Sequence, residues 1–218
     1  RGTPMTELFL SAFATLFVVI DPPGCAPIFA GLTAGASEAH RRVMALRAVF
    51  VAAVILVIFA VFGRALLGGL GISLYSFRIA GGIMLFLIAL DMVFEKRTER
   101  REDRAEKVMG GDPPPDIAVF PMAMPMIAGP GSIASVMLLM SHTETYSESL
   151  MVFAALGVNL LLTLIALMAA GPIMRIVGAK IEAVISRLLG VLLAALATQF
   201  VIDGIKAALA AGRAAGLH

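Results

Sequence analysis

The chain has 218 residues, of which 60% are hydrophobic and only 15% charged, with 17 Lys and Arg set against 15 Asp and Glu. A soluble domain usually carries about 25% charged residues, so this composition argues against a water-soluble protein. The formal net charge of +2 gives no basic footprint for nucleic acid. The single cysteine, Cys25, excludes an intrachain disulfide.

Apolar runs long enough to cross a hydrocarbon core of about 30 Å as helix recur six times, at residues 8–32, 43–67, 72–94, 117–140, 150–176 and 185–209. The expected fold is therefore an all-α membrane protein with six transmembrane helices. The first run contains IDPPGCA at 20–26. Proline in a helix interior costs about 3 kcal/mol, and a carboxylate at the bilayer centre roughly 2.5–3.5 kcal/mol on insertion scales. Proline is nevertheless at home in a first helical turn, and Asp is a good N-cap. Asp21-Pro22-Pro23-Gly24 thus reads as the end of one half-helix and the start of another. Residues 8–20 cover only about 20 Å as helix, so the break is expected near mid-membrane.

Segments two and three follow without such a break. The stretch EKRTERREDRAEKVMGGDPPPD at 95–116 then reads as a charged cytoplasmic linker between two units, 1–94 and 117–218. Segment four contains IAGPGSI at 127–133, which shares Ile-x-x-Pro-Gly with segment one at an offset of 107. Segments three and six share Arg-x-x-Gly, at Arg78–Gly81 and Arg187–Gly190, at an offset of 109. Two matches in the same order predict a three-plus-three duplication. Three crossings is an odd number, so the second unit enters from the opposite side and the repeats are inverted, as in many transporters.

Helices 1 and 4 are expected to be broken, with the second half of each starting at the midplane and its amino end facing the centre. Such ends carry partial positive charge and bind carboxylates readily. The candidate substrate-binding residues are Asp21, Pro22, Pro23, Gly24, Cys25 and Ala26 in the first break, and Gly129, Pro130, Gly131, Ser132 and Ile133 in the second. Gln199, inside segment six, is added as a polar group at membrane depth, with an interhelical hydrogen bond as its structural reading. Ala128 stands where Asp21 would repeat, so the site is expected to have two amide-rich poles and one carboxylate, which suits a small zwitterion. Structural readings stand beside these: the breaks as packing kinks, Asp21 as an N-cap, Cys25 as a small buried residue, and Asp91, Asp203, Lys206, Arg78 and Arg187 as anchors near segment ends.

The cations divide unevenly. Arg41, Arg42, Arg47, the linker cations, Arg175, Lys180 and Arg187 collect on one side, and Arg1, Arg64, Arg78, Lys206 and Arg213 on the other. The positive-inside rule makes the first side cytoplasmic and puts both termini in the periplasm.

FVVIDPPGCAPIFAGLT, FRIAGGIMLFLIALDM, FPMAMPMIAGPGSIASVMLL and LLGVLLAALATQFVIDGI resemble, segment by segment, the MarC family of bacterial and archaeal inner-membrane proteins. The resemblance implies an inner-membrane location and, for members of the SnatA type, transport of small neutral amino acids such as glycine and alanine. Pro23 and Cys25 depart from the family pattern, where a bulkier aliphatic residue often precedes the glycine and a polar one follows it. The leading expectation is a secondary transporter with a small amino acid as substrate, the bilayer as surroundings, protons as a candidate coupling ion and no cofactor. A channel or a non-transporting structural membrane protein is the alternative. An intramembrane enzyme is disfavoured, because His40, His142 and His218 fall in loops or at the terminus and no zinc-protease motif occurs.

Overall fold

The computed structural model describes residues 5–94, 103, 117–170 and 178–214, without the side chains of 178–183 and 214. The linker expected at 95–116 and the end of segment five lie outside the described residues, apart from Asp103. Every regular element among the described residues is helical: α1 (Met5–Ile20), α2 (Pro22–Leu32), α3 (Glu38–Gly69), α4 (Leu74–Val93), α5 (Ala118–Ile127), α6 (Pro130–Ser141), α7 (Tyr146–Met168) and α8 (Gly178–Ala214).

Four of these, and α1 with α2 taken as one 28-residue span, are long and apolar enough to cross a membrane. The pair α5 and α6, bent by 51° at its joint, makes a sixth candidate where the two are counted as one span. The helices begin where capping side chains start them. Ser37 accepts from the His40 N–H at 3.3 Å, so α3 takes in the polar turn ahead of the apolar run. Thr145 and Glu148 form a reciprocal capping box that starts α7 at Tyr146, four residues before the apolar run predicts. At the end of α3, Gly71 takes a left-handed φ of +69°, which lets the Ile72 N–H reach back to Leu67 O at 2.9 Å.

The short connections at 33–37, 70–73 and 142–145 make chain neighbours antiparallel. The end of α3, the start of α4 and the end of α6 therefore lie on one face of the molecule, where α1 also begins. Helix α6 runs toward that face and α1 away from it.

The interrupted spans form the centre. Nine of the twelve residues of α6 are buried, from Gly131 to Ser141, and so is most of the α1–α2 span around its joint, from Val18 to Phe29. Around them α3, α4, α7 and α8 turn apolar surface outward, including Phe50 and Phe62 of α3, Leu87 of α4, Leu161 of α7 and Leu188 of α8. In water such a surface would be an aggregation liability; against lipid it is the required face. Small residues bring the helices together. A Cβ at Gly82 of α4 would meet the Ala197 carbonyl of α8 at 2.8 Å, and one at Gly204 of α8 would meet the Tyr75 carbonyl of α4 at 3.0 Å. The two helices thus pack backbone against backbone. Gly81, on the adjoining face of α4, seats Leu138 of α6.

Candidate functional site

The joint between α1 and α2 is a single residue. Pro22 and Pro23 have no N–H to give to Val18 and Val19, so the helical ladder loses two consecutive bonds there. Asp21 takes up the discontinuity with φ 58° and ψ 65°, a left-handed conformation that few residues other than Gly, Asn and Asp adopt. On either side the ladder resumes, with Asp21 N–H donating to Phe17 O at 2.9 Å and Cys25 N–H to Asp21 O at 3.1 Å. The Asp21 carboxylate folds over the first turn of α2 and accepts from the Gly24 N–H at 3.1 Å. It occupies the space where a Cβ at position 24 would project, so any larger residue there would displace the carboxylate from its cap. Pro22, Pro23 and Gly24 are therefore the first turn of α2, and the interruption is narrower than the four residues the sequence suggests. Asp21 is 3% exposed, so this carboxylate is held in the core by its own helix end.

The joint between α5 and α6 is wider. Phe120 and Met124 have extended φ/ψ inside α5, each preceding a cis peptide to proline. Its turns are loose, with Met122 N–H donating to Ile117 O at 3.3 Å and Ala128 N–H to Ala123 O at 2.9 Å. Ala128 and Gly129 are non-helical, and α6 opens at Pro130. Gly129 sits so close to the Pro125 carbonyl that no Cβ fits. Unlike the amino end of α2, the amino end of α6 has no side-chain cap.

These two joints are brought together. A Cβ at Gly131 would stand 3.2 Å from Val19 Cγ1 and 2.5 Å from Ile88 Cδ1. The first turn of α6 thus lies against the last turn of α1 and against α4. Ser132 and Ser135 are buried on α6, and Thr15, one turn before Val19, is buried on α1.

Residues 6–209 match the family described as MarC family integral membrane protein. The chain belongs to the MarC family. It is 35% identical over 206 residues to a UPF0056 membrane protein of Methanocaldococcus jannaschii, covering 93% of this chain and 98% of that protein. It is 36% identical over 200 residues to a UPF0056 membrane protein of Archaeoglobus fulgidus, covering 91% and 92%, and 33% identical over 199 residues to one of Aquifex aeolicus, with the same coverage. No solved structure matches it. Family and fold together make it a multi-pass integral membrane protein.

In this MarC chain the residues predicted from the two Pro-Gly motifs fall into one region, with Asp21, Pro22, Gly24, Cys25, Ala26, Gly131 and Ser132 buried and Pro23 and Ile133 half-buried. Pro130 caps the joint from its exposed edge. Cys25 packs with its thiol directed at the Ile20 carbonyl, 3.6 Å away. Gln199 does not join them. It lies on the exposed face of α8 and donates to Asp203 Oδ1 at 2.9 Å, one turn along its own helix.

The sequence reading missed two polar features. Asn159 of α7 is fully buried and donates through Nδ2 to Phe13 O of α1 at 3.2 Å and to Ala155 O at 2.9 Å, while Thr163 donates to Asn159 O at 2.8 Å. An Asn with Thr one turn later inside a leucine run is the available signal for this interhelical tie. At the other end of α6, Arg64 of α3 donates to the carbonyls of Met140 and Thr143, and Arg78 of α4 donates through Nε and Nη2 to Ser141 Oγ and O at 3.1 and 2.8 Å. Two guanidinium groups therefore hold the carboxyl end of α6, where the helix dipole favours cations. His142 follows directly, its ring 6.0 Å from that of Phe200. Packing disfavours its charged form and, with repulsion from Arg78 and Arg64 outweighing the pull of Asp203, lowers its pKa from the ordinary 6.5.

Proposed function

We propose that this MarC chain is a secondary transporter of small neutral amino acids such as glycine and alanine. The observation that carries the reading is the meeting of two interrupted helices in the buried core, one joint carrying the Asp21 carboxylate and the other an uncapped helix start. Irregular backbone at membrane depth persists where it is buried in protein or lines a cavity, and discontinuous helices at the midplane are the common form of a transporter site. The residues around the joints are small, which suits a small solute better than an aromatic one. The joints act as the hinges about which access alternates, and protons are the candidate coupling ion. The protein is a carrier rather than an enzyme and sits in the inner membrane with both termini in the periplasm.

An inverted three-plus-three repeat underlies this reading. Its support is the packing: α1 lies along α7 as α5 lies along α3, α2 packs on α7 as α6 packs on α3, and α4 pairs with α8. Exchange of the two halves maps each of these pairings onto another or onto itself.

The test is counterflow in proteoliposomes with a panel of labelled amino acids, with and without a pH gradient. Exchange of glycine or alanine, saturable and dependent on the protein, is the expected result. A flux that neither saturates nor shows counterflow would favour a channel instead.

A further inference from the structure

We infer that the amino end of α6, together with the hydroxyl of Ser135, is the carboxylate-binding pole of the substrate site, and that the amino end of α2 is not. This deepens the transport reading and rests on it.

The two helix starts are alike in path and opposite in occupancy. At α2 the position that an anion would take is filled by the protein's own carboxylate, since Asp21 Oδ1 accepts from the Gly24 N–H. A second anion there would meet like charge. At α6 the cap position is Gly129, which has no side chain to offer. Pro130 has no N–H, and Ile133 N–H is spent on Gly129 O at 3.0 Å. Gly131 and Ser132 supply the remaining amides of the first turn, and a first turn leaves its N–H groups without intrahelical acceptors. Helix α6 has twelve residues, so its dipole is fully developed over three turns.

The independent observation is Ser135. Its side chain is fully buried and its Oγ has no hydrogen-bond partner. Buried hydroxyls are nearly always satisfied, and a group left unsatisfied calls for an explanation. Ser135 stands four residues after Gly131, hence on the same face of α6 that meets α1. Helical side chains lean toward the amino end, so this hydroxyl leans back over the turn whose amides are open. A carboxylate at Gly131 and Ser132 gives Ser135 the acceptor it lacks. Because Gly131 abuts Val19, two residues before Asp21, a zwitterion held there by its carboxylate turns its ammonium toward the Asp21 side of the joint.

The experiment compares wild type and Ser135→Ala in proteoliposomes. It measures the KM for labelled alanine and the inhibition by propionate, which keeps the carboxylate, and by ethylamine, which keeps the ammonium. Hydrogen bonds to charged groups are the stronger class. The expected result is a KM for alanine and an inhibition constant for propionate both raised about 10-fold or more, with ethylamine unchanged. Removal of a merely structural, unpartnered hydroxyl is neutral or stabilising, so Ser135→Ala should fold and the comparison stays interpretable. Unchanged KM and unchanged propionate inhibition in a variant that transports alanine would overturn the assignment and leave the transport reading standing. A shift for ethylamine alone would place the ammonium at Ser135 and also overturn it. A wild type that neither transports nor binds any amino acid would overturn the transport reading, and this assignment with it.

Discussion

Asp21 combines two local demands that substitutions can separate, a left-handed backbone at φ 58° and a side-chain acceptor for the Gly24 N–H. Asn meets both, because it tolerates that conformation and keeps a carbonyl oxygen in nearly the same place. Gly meets the first only. Ala meets neither. Loss of the capping acceptor costs about 0.5–2 kcal/mol, and a left-handed conformation costs an ordinary L-residue roughly 1–2 kcal/mol. Asp21→Ala is therefore expected to destabilise by about 1.5–4 kcal/mol. Asp21→Gly, relieved of the second cost but more flexible when unfolded, should fall between Ala and wild type, and Asp21→Asn close to wild type. The measurement is thermal unfolding in detergent, followed by circular dichroism at matched protein concentration. An Ala variant as stable as Asn, or a Gly variant no better than Ala, would refute the left-handed joint. Transport then reads the charge separately: Asn and Gly should both lose affinity for alanine despite folding if the carboxylate faces the substrate ammonium.

Arg78→Lys should unfold at a clearly lower temperature than wild type, because a single ammonium cannot hold Ser141 Oγ and O together as the guanidinium fork does; equal stability would show that the fork is not needed. Stability should decline as pH falls through about 6.5, the ordinary histidine value, because the unfolded chain then binds a proton at His142 that the folded protein, with its lowered pKa, refuses. His142→Gln should flatten that decline, and a profile identical to wild type would remove His142 as its source. A reporter that fluoresces only in the cytoplasm, fused after His218, should stay dark, while a bright fusion would reverse the proposed orientation.

Five spans, and a sixth where α5 and α6 count as one, were legible because hydrophobic length is what a bilayer selects, and the places where the backbone leaves the helical path were legible because proline and glycine declare themselves. Helix α7 begins four residues ahead of its apolar run because the Thr145–Glu148 box starts it in polar sequence. The first joint is narrower than four residues. Two prolines suggest a long unwound stretch, but both fit a first helical turn, and one left-handed Asp suffices to make the connection. The arginine clamp on α6 was not legible. Arg64 and Arg78 stand 76 and 63 residues from their partners, and Arg78 looks like an interfacial anchor until the fold brings the end of α6 beneath it. Gln199 shows the converse: polarity at membrane depth suggested the core, but its position on α8 places it on the outer face, where Asp203 satisfies it.

The two joints follow similar chain paths, yet only one carries a carboxylate, and the difference has a physical basis. With Asp at both 21 and 128, each helix start would be filled by its own carboxylate, and two like charges would share a buried region in which Coulomb repulsion is far stronger than in water. One of them would have to take up a proton. With Asp at neither, both starts would be open to anions and nothing charged would remain to receive an ammonium. One carboxylate and one open helix start give a buried region a negative group and a positive pole. A zwitterion satisfies both without bringing net charge into the membrane, whereas a simple anion or cation satisfies one and leaves the other unmatched. On the proposed repeat and site, the Ala128 for Asp21 exchange is thus the feature that gives the site a direction.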